Sequence, residues 1–210
     1  MTTSEPTIDL PGVSLPGILA IPANATGIVA FAHGSGSSRL SPRNAAVASH
    51  LNSAGLATLL FDLLTPGESA DRANVFDIEL LGGRLELVCR WLAARPESRG
   101  MPIGLFGAST GAAAALVAAA AQPDLVAAVV SRGGRPDLAG SALPRVDAAT
   151  LLIVGSLDTV VLDLNRRALA AMRGDHELTV VPGATHLFEE PGTLDQAAGL
   201  ARDWFVAHLT

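Results

Sequence analysis

A serine between two glycines stands where the sequence changes from a strand-like to a helix-like pattern. The pentapeptide GASTG at 107–111 follows the apolar run 101–106 and precedes the alanine-rich run 112–121. A strand that turns sharply into a helix at G-x-S-x-G lifts a serine hydroxyl out of the backbone at the end of a parallel sheet. Glycines on both sides remove atoms that would collide in such a turn. The pattern predicts that Ser109 is a nucleophile and that N–H groups of the next helix face a developing oxyanion.

An acid and a histidine follow the serine, each at the end of a later strand-like run. Asp158 comes after the apolar run 151–154, and His186 comes after the run 178–181. Imidazole titrates near neutral pH, so it can take the serine proton and return it to a leaving group. A carboxylate on the other ring nitrogen fixes the tautomer and stabilises the imidazolium. Serine, acid and histidine in this chain order predict a catalytic triad of Ser109, Asp158 and His186.

Each of these residues also has a plainer interpretation. Ser109 and Asp158 could act only as helix N-caps, and His186 could be an ordinary loop histidine. Asp62 also ends an apolar run and is the alternative acid, although it precedes the serine in the chain. The joint placement of all three groups at the carboxyl ends of predicted strands favours the triad. The sequence holds no H-E-x-x-H motif and no cluster of histidines and carboxylates, so it does not imply a metal.

The alternation of strand-like and helix-like runs predicts how these residues are positioned. It is typical of an α/β fold with a mostly parallel sheet and helices on both faces, in which ligands bind at the carboxyl ends of the strands. The predicted strands are 8–10, 18–21, 28–32, 57–61, 101–106, 125–130, 151–154 and 178–181. The predicted helices are 42–54, 75–94, 112–121, 160–172 and 194–209. The pair Gly82-Gly83 is expected to weaken or bend the second of these helices.

Composition and charge narrow the functional class. The chain has 210 residues, 49% of them hydrophobic and 16% charged, which suits one domain with a large core. A formal net charge of −6 lacks the basic footprint that nucleic-acid binding requires. No apolar run approaches the about 18–20 residues of a membrane span, and the first residues carry no signal-peptide pattern. We therefore expect a soluble cytoplasmic protein, monomeric or homodimeric, without nucleic-acid or membrane partners.

Two further residue patterns indicate neither a reactive thiol nor a nucleotide-binding loop. Cys89 is the only cysteine, so it forms neither an internal disulfide nor a thiolate cluster, and its helix-like surroundings predict a buried, unreactive thiol. The glycines in 34–36 and 104–107 complete neither G-x-G-x-x-G nor a Gly-Lys-Ser/Thr loop. Nucleotide binding is therefore not predicted.

Two arginines lie where they can contact a substrate. Arg39 follows the glycine-serine loop 33–38, and Arg132 follows a central strand. A guanidinium group matches a carboxylate or phosphate in a bidentate way, so a carboxylate-bearing ester or lactone is one hypothesis. The alternative is that both are surface arginines or form salt bridges, for example with Asp137 or Glu68.

The elbow, the chain order of the triad and the glycine-serine loop resemble the α/β-hydrolase superfamily. The short spacings without a cap domain are most similar to the dienelactone-hydrolase-like branch, over the chain from the loop at 33–38 to the terminal helix. The resemblance implies one domain over 1–210, hydrolysis of a small ester through an acyl-enzyme on Ser109, and no cofactor. It also implies an oxyanion hole made by the N–H groups of Thr110 and Ser35, with Gly34 beside the substrate.

The sequence departs from that family at two positions. Dienelactone hydrolases usually carry a cysteine nucleophile and an acidic residue after the first histidine of the loop, whereas this chain has Ser109 and Gly34. Serine esterase chemistry is therefore the expectation, with lactones and thioesters as related substrates. Because a fold alone does not secure activity, a non-catalytic ligand-binding or partner domain with the same fold is the alternative.

Overall fold

The computed structural model describes residues 1–209, which contain nine strands, seven α-helices and one 3₁₀ helix. The strands are β1 (Thr2–Ser4), β2 (Thr7–Leu10), β3 (Val13–Ile21), β4 (Ile28–Ala32), β5 (Ala57–Phe61), β6 (Ile103–Ala108), β7 (Val126–Arg132), β8 (Ala149–Gly155) and β9 (His176–Val181). The α-helices are α1 (Pro42–Ser53), α2 (Pro66–Ser69), α3 (Arg72–Val75), α4 (Ile78–Ala94), α5 (Thr110–Ala121), α6 (Thr159–Ala171) and α7 (Thr193–His208), and the 3₁₀ helix covers Pro136–Arg145.

All of these strands belong to one sheet, in the order β1-β3-β5-β4-β6-β7-β8-β9, and β2 also pairs with β3. The strands from β5 to β9 run parallel, while β1, β2 and β5 are antiparallel to β3. Parallel strands end at the same edge of a sheet, so the loops that follow β4, β6, β7, β8 and β9 meet there. The predicted α/β fold with a mostly parallel sheet is confirmed.

The central strands are buried on both faces, because helices cover each face. Along β4, Ile28 and Ala30 pack into one apolar cluster and Val29 and Phe31 into another. The helices α4 and α5 belong to the first cluster, and α1 and α7 belong to the second. This explains why the parallel strands read as continuous apolar runs rather than as alternating ones.

The edge of the sheet differs from the sequence-based expectation. Strand β3 begins at Val13 and runs through Pro16 and Gly17, whereas the predicted strand covers only 18–21, and β1 was not predicted at all. Proline has no N–H to donate, but its carbonyl accepts from the backbone N–H of Asp62 at 3.2 Å, and the N–H of Gly17 donates to the carbonyl of Pro6 at 3.0 Å. The residues of β1 are all exposed and polar, so they carry no apolar alternation from which a strand could be predicted.

Short helices occupy two segments that were predicted as connectors. Helices α2 and α3 lie between β5 and α4, and the 3₁₀ helix lies between β7 and β8. Helix α4 begins at Ile78 rather than near Val75, because Asp77 caps it by accepting from the N–H of Leu80 at 2.9 Å. No connection within residues 1–209 is long enough to form a separate cap domain. Within the same residues, no helix combines the length and the apolar character needed to cross a membrane.

The two adjacent glycines of α4 do not interrupt it. The helix is continuous from Ile78 to Ala94. A Cβ atom at Gly82 would lie 2.6 Å from Cγ1 of Val117 on α5, whereas one at Gly83 would meet nothing within 4 Å. Gly82 therefore permits the close packing of α4 on α5, and the glycine pair does not break the helix.

Candidate active site

Ser109 lies at a sharp turn between β6 and α5. Its φ of +52° and ψ of −121° form a strained conformation that a residue other than glycine rarely adopts. The flanking glycines are required by space, because a Cβ at Gly107 would lie 2.4 Å from Cα of Ala112. A Cβ at Gly111 would lie 2.1 Å from the carbonyl oxygen of Ala32. The strand, turn and helix thus have the geometry of a nucleophile elbow.

His186 and Asp158 form a hydrogen-bonded pair beside this turn. Nδ1 of His186 lies 2.6 Å from Oδ2 of Asp158. Asp158 is the residue before α6, but its side chain makes no capping hydrogen bond to that helix, so the cap interpretation does not apply. Ser109 and His186 line one cleft of about 260 Å³. The structure therefore brings all three residues of the predicted triad to the same edge of the sheet.

The loop after β7 holds the turn from one side. The N–H of Ser109 donates to the carbonyl of Arg132 at 3.4 Å, and the N–H of Arg135 donates to the carbonyl of Ser109 at 3.0 Å. Gly133 has a φ of +52°, and a Cβ there would lie 3.0 Å from the carbonyl oxygen of His186. The nucleophile turn and the histidine loop are thus both packed against the segment that carries Arg132.

The glycine-serine loop contacts the turn from the other side. A Cβ at Gly34 would lie 3.0 Å from Cβ of Ser109, so the loop lies directly on the nucleophile. The backbone N–H of Ser35 donates to Oγ1 of Thr110 at 3.0 Å. Thr110 is the first residue of α5, so its own N–H has no partner within the helix. Both predicted oxyanion donors therefore lie beside Ser109, but that of Ser35 already has a hydrogen-bond partner.

His33 has a structural role in this loop. Nδ1 of His33 donates to the carbonyl of Gly34 at 3.0 Å, and Nε2 accepts from the N–H of Leu63 at 3.1 Å. These contacts fit a neutral ring, and burial lowers the pKa of His33 from its usual value. The histidine therefore fixes the loop against the segment that follows β5.

Asp62, the alternative acid, is engaged elsewhere. Its carboxylate accepts from the backbone N–H of Arg39 at 2.7 Å and from the Arg39 guanidinium at 2.5 Å. Asp158 occupies the carboxylate position beside His186 instead. Arg39 does not line the cleft of Ser109, because the ion pair with Asp62 directs its guanidinium elsewhere. Its predicted role in substrate binding therefore has no support from the geometry.

Arg132 lies in the cleft, and no acidic side chain within residues 1–209 forms an ion pair with it. Only 6% of its surface is exposed, its Nε atom has no hydrogen-bond partner, and its guanidinium lies 5.6 Å from the ring centre of Phe188. Burial, together with a smaller effect of the charge of Arg43, lowers the pKa of Arg132 to about 10. The expected alternative of salt bridges with Asp137 or Glu68 is wrong for Arg132.

Those two acids pair with other arginines. Asp137 accepts from Arg135 at 2.8 Å, and Glu68 accepts from Arg84 at 2.8 Å. Neither acid is therefore available to Arg132.

Among the residues that line the cleft, two on α1 were not expected from the sequence. Arg43 and Asn44 on α1 line it, and the buried Oδ1 of Asn44 has no hydrogen-bond partner among residues 1–209. Arg43 also donates to Glu189 at 3.3 Å. Both residues lie inside a predicted helix, and nothing in the sequence indicates which face of that helix meets the cleft.

A second cavity, of about 370 Å³, adjoins the first. The two share Gly34, Ser35 and Ser37, so only the glycine-serine loop separates them. Thr110 also lines the second cavity. Its other walls are largely apolar and are contributed by Leu63, Leu64, Pro66, Val75 and Leu81.

No other reactive centre is evident in the described part of the chain. Cys89 is buried, and burial raises the pKa of its thiol to about 12, which agrees with the predicted unreactive thiol. Among residues 1–209, no group of three or more histidine, cysteine or acidic side chains could hold a metal ion.

Comparison with known proteins places the chain in a family. Two curated proteins from Mycobacterium tuberculosis strains, each named "Putative phosphoribosyl transferase", are 64% identical to it over 197 residues. The match covers 94% of this chain but 44% of each relative, so the chain spans less than half the length of those proteins.

Solved structures are similar over the whole chain. The crystal structure of a dienelactone hydrolase from Anabaena variabilis shares 53% identity, with a TM-score of 0.95 over 99% of both chains. The esterase domain of a Rhodothermus marinus protein shares the fold, with 20% identity and a TM-score of 0.80 over 100% of both chains. The dienelactone hydrolase family profile matches residues 15–204, and the chain belongs to this family of α/β hydrolases.

Proposed function

We propose that the protein is a serine hydrolase that cleaves small carboxylic esters through an acyl-enzyme on Ser109. The observation that carries the proposal is the cleft shared by Ser109 and His186, in which Nδ1 of His186 lies 2.6 Å from Asp158. The strained backbone of Ser109 supports it, because strain of this kind concentrates at functional sites.

The proposed reaction follows from the roles of these groups. Nε2 of His186 takes the proton from Ser109 as Oγ forms a bond to the ester carbonyl carbon, and the electron pair of the C=O bond moves to the carbonyl oxygen. When that pair returns, the bond to the alcohol breaks and the alcohol takes the proton from His186. Asp158 stabilises the imidazolium that forms in between. Water then attacks the acyl-enzyme by the same route and releases the acid.

The charge of the cleft favours an anionic substrate. A buried guanidinium without a counter-ion is costly unless a ligand supplies the opposite charge. Arg132 is such a group, and Arg43, which pairs with the exposed carboxylate of Glu189, lines the same cleft. An ester or lactone that carries a carboxylate is therefore the substrate class we propose, with thioesters accessible to the same machinery.

The transferase name of the curated relatives does not identify the activity of this chain. It describes proteins of which the chain spans 44%, whereas the family match covers residues 15–204 of the chain itself. The alternative function is a non-catalytic ligand-binding or partner domain that retains the fold.

Labelling with a fluorophosphonate probe separates these two functions. The wild-type protein should be labelled, and Ser109→Ala should not, because the probe reacts only with an activated serine. Ser53→Ala, at an exposed serine of α1, is the matched control and should be labelled like wild type. Absence of labelling in folded wild-type protein would support the non-catalytic alternative. A panel of p-nitrophenyl esters then measures the acyl preference.

A further inference from the structure

The hydroxyl of Thr110 lies at the start of α5, next to the proposed nucleophile turn. Its Oγ1 accepts a hydrogen bond from the backbone N–H of Ser35 at 3.0 Å. This N–H of Ser35 is the second donor that was expected to point at the oxyanion. Thr110 directly follows Ser109, and 5% of its surface is exposed. The hydroxyl is therefore bonded to the second predicted donor and belongs to the residue that follows the nucleophile.

The hydroxyl hydrogen has no acceptor within residues 1–209. A threonine hydroxyl has one hydrogen to donate and two sites that accept. The oxygen of Thr110 accepts from Ser35, and no carbonyl or carboxylate in this part of the chain receives the hydrogen. A hydroxyl that already accepts a hydrogen bond is a stronger donor, because the two bonds polarise each other. The hydrogen is thus free to turn toward a negatively charged ligand atom.

We propose that Thr110 is a catalytic residue that gives the oxyanion two hydrogen bonds, from its backbone N–H and from its Oγ1 hydroxyl. Ser35 acts through the hydroxyl, by polarising it, rather than by direct contact. The inference rests on the proposed function, since it concerns the oxygen that becomes negative when Oγ of Ser109 bonds to the carbonyl carbon. Both donors come from one residue at a helix N-terminus, where the helix dipole favours negative charge.

A purely structural role for the hydroxyl, as a latch for the loop, is less well supported. The loop has other anchors, because His33 bonds both Gly34 and the segment at Leu63. Gly34 is also packed tightly against Ser109, since a Cβ at Gly34 would lie 3.0 Å from Cβ of Ser109. Loss of the Thr110 hydroxyl should therefore leave the loop in position.

The test replaces the hydroxyl with a methyl group of similar size. Thr110→Val should lower kcat for p-nitrophenyl acetate by about 10²-fold, the typical loss for one oxyanion donor. KM should stay within about 3-fold, because the bond is made only in the transition state. Thr110→Ser keeps the hydroxyl and should stay within about 5-fold of wild type. The affinity of a boronic acid, which forms a tetrahedral adduct on Ser109, should fall in Thr110→Val but not in Thr110→Ser.

Two results would overturn the inference. One is a kcat of Thr110→Val close to that of wild type, and the other is an equal loss in Thr110→Ser. Thermal unfolding verifies that each variant is folded, and Thr110→Ala carries the test if the valine variant is not. Ser109→Ala separates this inference from the proposed function. If Ser109→Ala abolishes activity while Thr110→Val keeps it, only the role of Thr110 is lost.

Discussion

Oδ2 of Asp158 and Nδ1 of His186 are 2.6 Å apart, although 28 positions separate them in the chain. The two residues follow β8 and β9, which are adjacent and parallel, with Gly155 paired to Val181 at their ends. Two backbone bonds then join the loops, from Ser156 to Val181 at 2.9 Å and from Leu157 to the carbonyl of Ala184 at 3.0 Å. The distance is therefore fixed by the register of the sheet rather than by flexible loops.

We predict that Asp158→Asn lowers kcat by about 10³–10⁴-fold without unfolding the protein. An amide carries no charge to stabilise the imidazolium, and its NH₂ group favours the tautomer whose Nε2 already holds a proton. The measurement is kcat for p-nitrophenyl acetate near pH 7.5, together with thermal unfolding.

Asp163→Asn is the matched control for this prediction. Asp163 lies on the same helix, α6, and forms an exposed ion pair with Arg167 at 2.6 Å. Such pairs contribute little to stability, so the variant should keep wild-type activity. An Asp158→Asn variant as active as this control would exclude Asp158 from the reaction.

Replacing Arg132 with methionine should reduce the preference for anionic esters. Methionine fills a similar volume but has no charge, so the loss of one charge-assisted hydrogen bond should change the selectivity by about 10–100-fold. The measurement is the ratio of kcat/KM for p-nitrophenyl hydrogen succinate and p-nitrophenyl butyrate. Arg135→Met is the control, because Arg135 pairs with Asp137 and does not line the cleft. An unchanged ratio in Arg132→Met would remove the anionic substrate from the proposal.

The same variant should also be more stable than wild type. The lowered pKa of Arg132, about 10, means that the fold disfavours the charged form. The cost is present at every pH below that value and is relieved only above it. Between pH 6 and 9, Arg132→Met should therefore raise Tm, by roughly 2–4 °C for each kcal/mol recovered. A lower Tm throughout this range would mean that packing of the guanidinium outweighs its charge.

The sequence was sufficient to predict the positions that depend on strand order. Ser109, Asp158 and His186 each follow a parallel strand, and parallel strands end at one edge of the sheet, so finding the strands places these residues near one another. The elbow could also be predicted, because the turn leaves no space for a Cβ atom at positions 107 and 111, and the sequence has glycine at both.

Side-chain pairing across loops could not be predicted in the same way. Substrate contact was one hypothesis for Arg39 and a salt bridge was the alternative, and Arg39 pairs with Asp62, 23 positions away. Arg43 was not expected there, yet it lines the cleft. These outcomes depend on the path of each loop and on the rotation of α1, and the apolar pattern constrains neither. The contact between Ser35 and Thr110 belongs to the same class, since it joins residues 75 positions apart.

The ion pair of Glu68 with Arg84 should make stability depend on pH in the acid range. The hydrogen bond from Arg84 lowers the pKa of Glu68 from 4.5 to about 2. The unfolded chain therefore binds this proton more readily, and the stabilisation is complete above pH 4.5 and is lost as the pH falls toward 2. Glu68→Gln should lower Tm by a few degrees at pH 7, and the difference from wild type should shrink between pH 4.5 and 2.

Calorimetry in the Arg84→Met background tests the origin of this effect. Without the guanidinium, Glu68 loses the main cause of its lowered pKa, so adding Glu68→Gln should change Tm much less than it does in wild type. A pH-independent difference between Glu68→Gln and wild type would assign the stabilisation to something other than the charge of Glu68.

The adjacent glycines of α4 should respond to alanine in opposite directions. Gly83 has open space around its Cα, so Gly83→Ala should gain up to about 1 kcal/mol from helix propensity and raise Tm by roughly 2–4 °C. At Gly82 the new methyl would lie 2.6 Å from Cγ1 of Val117, a stiff β-branched side chain, so Gly82→Ala should cost about 1–3 kcal/mol. Thermal unfolding measures both variants, and Val117→Ala should relieve the cost when combined with Gly82→Ala. Equal Tm values for the two single variants would contradict the close packing of α4 on α5.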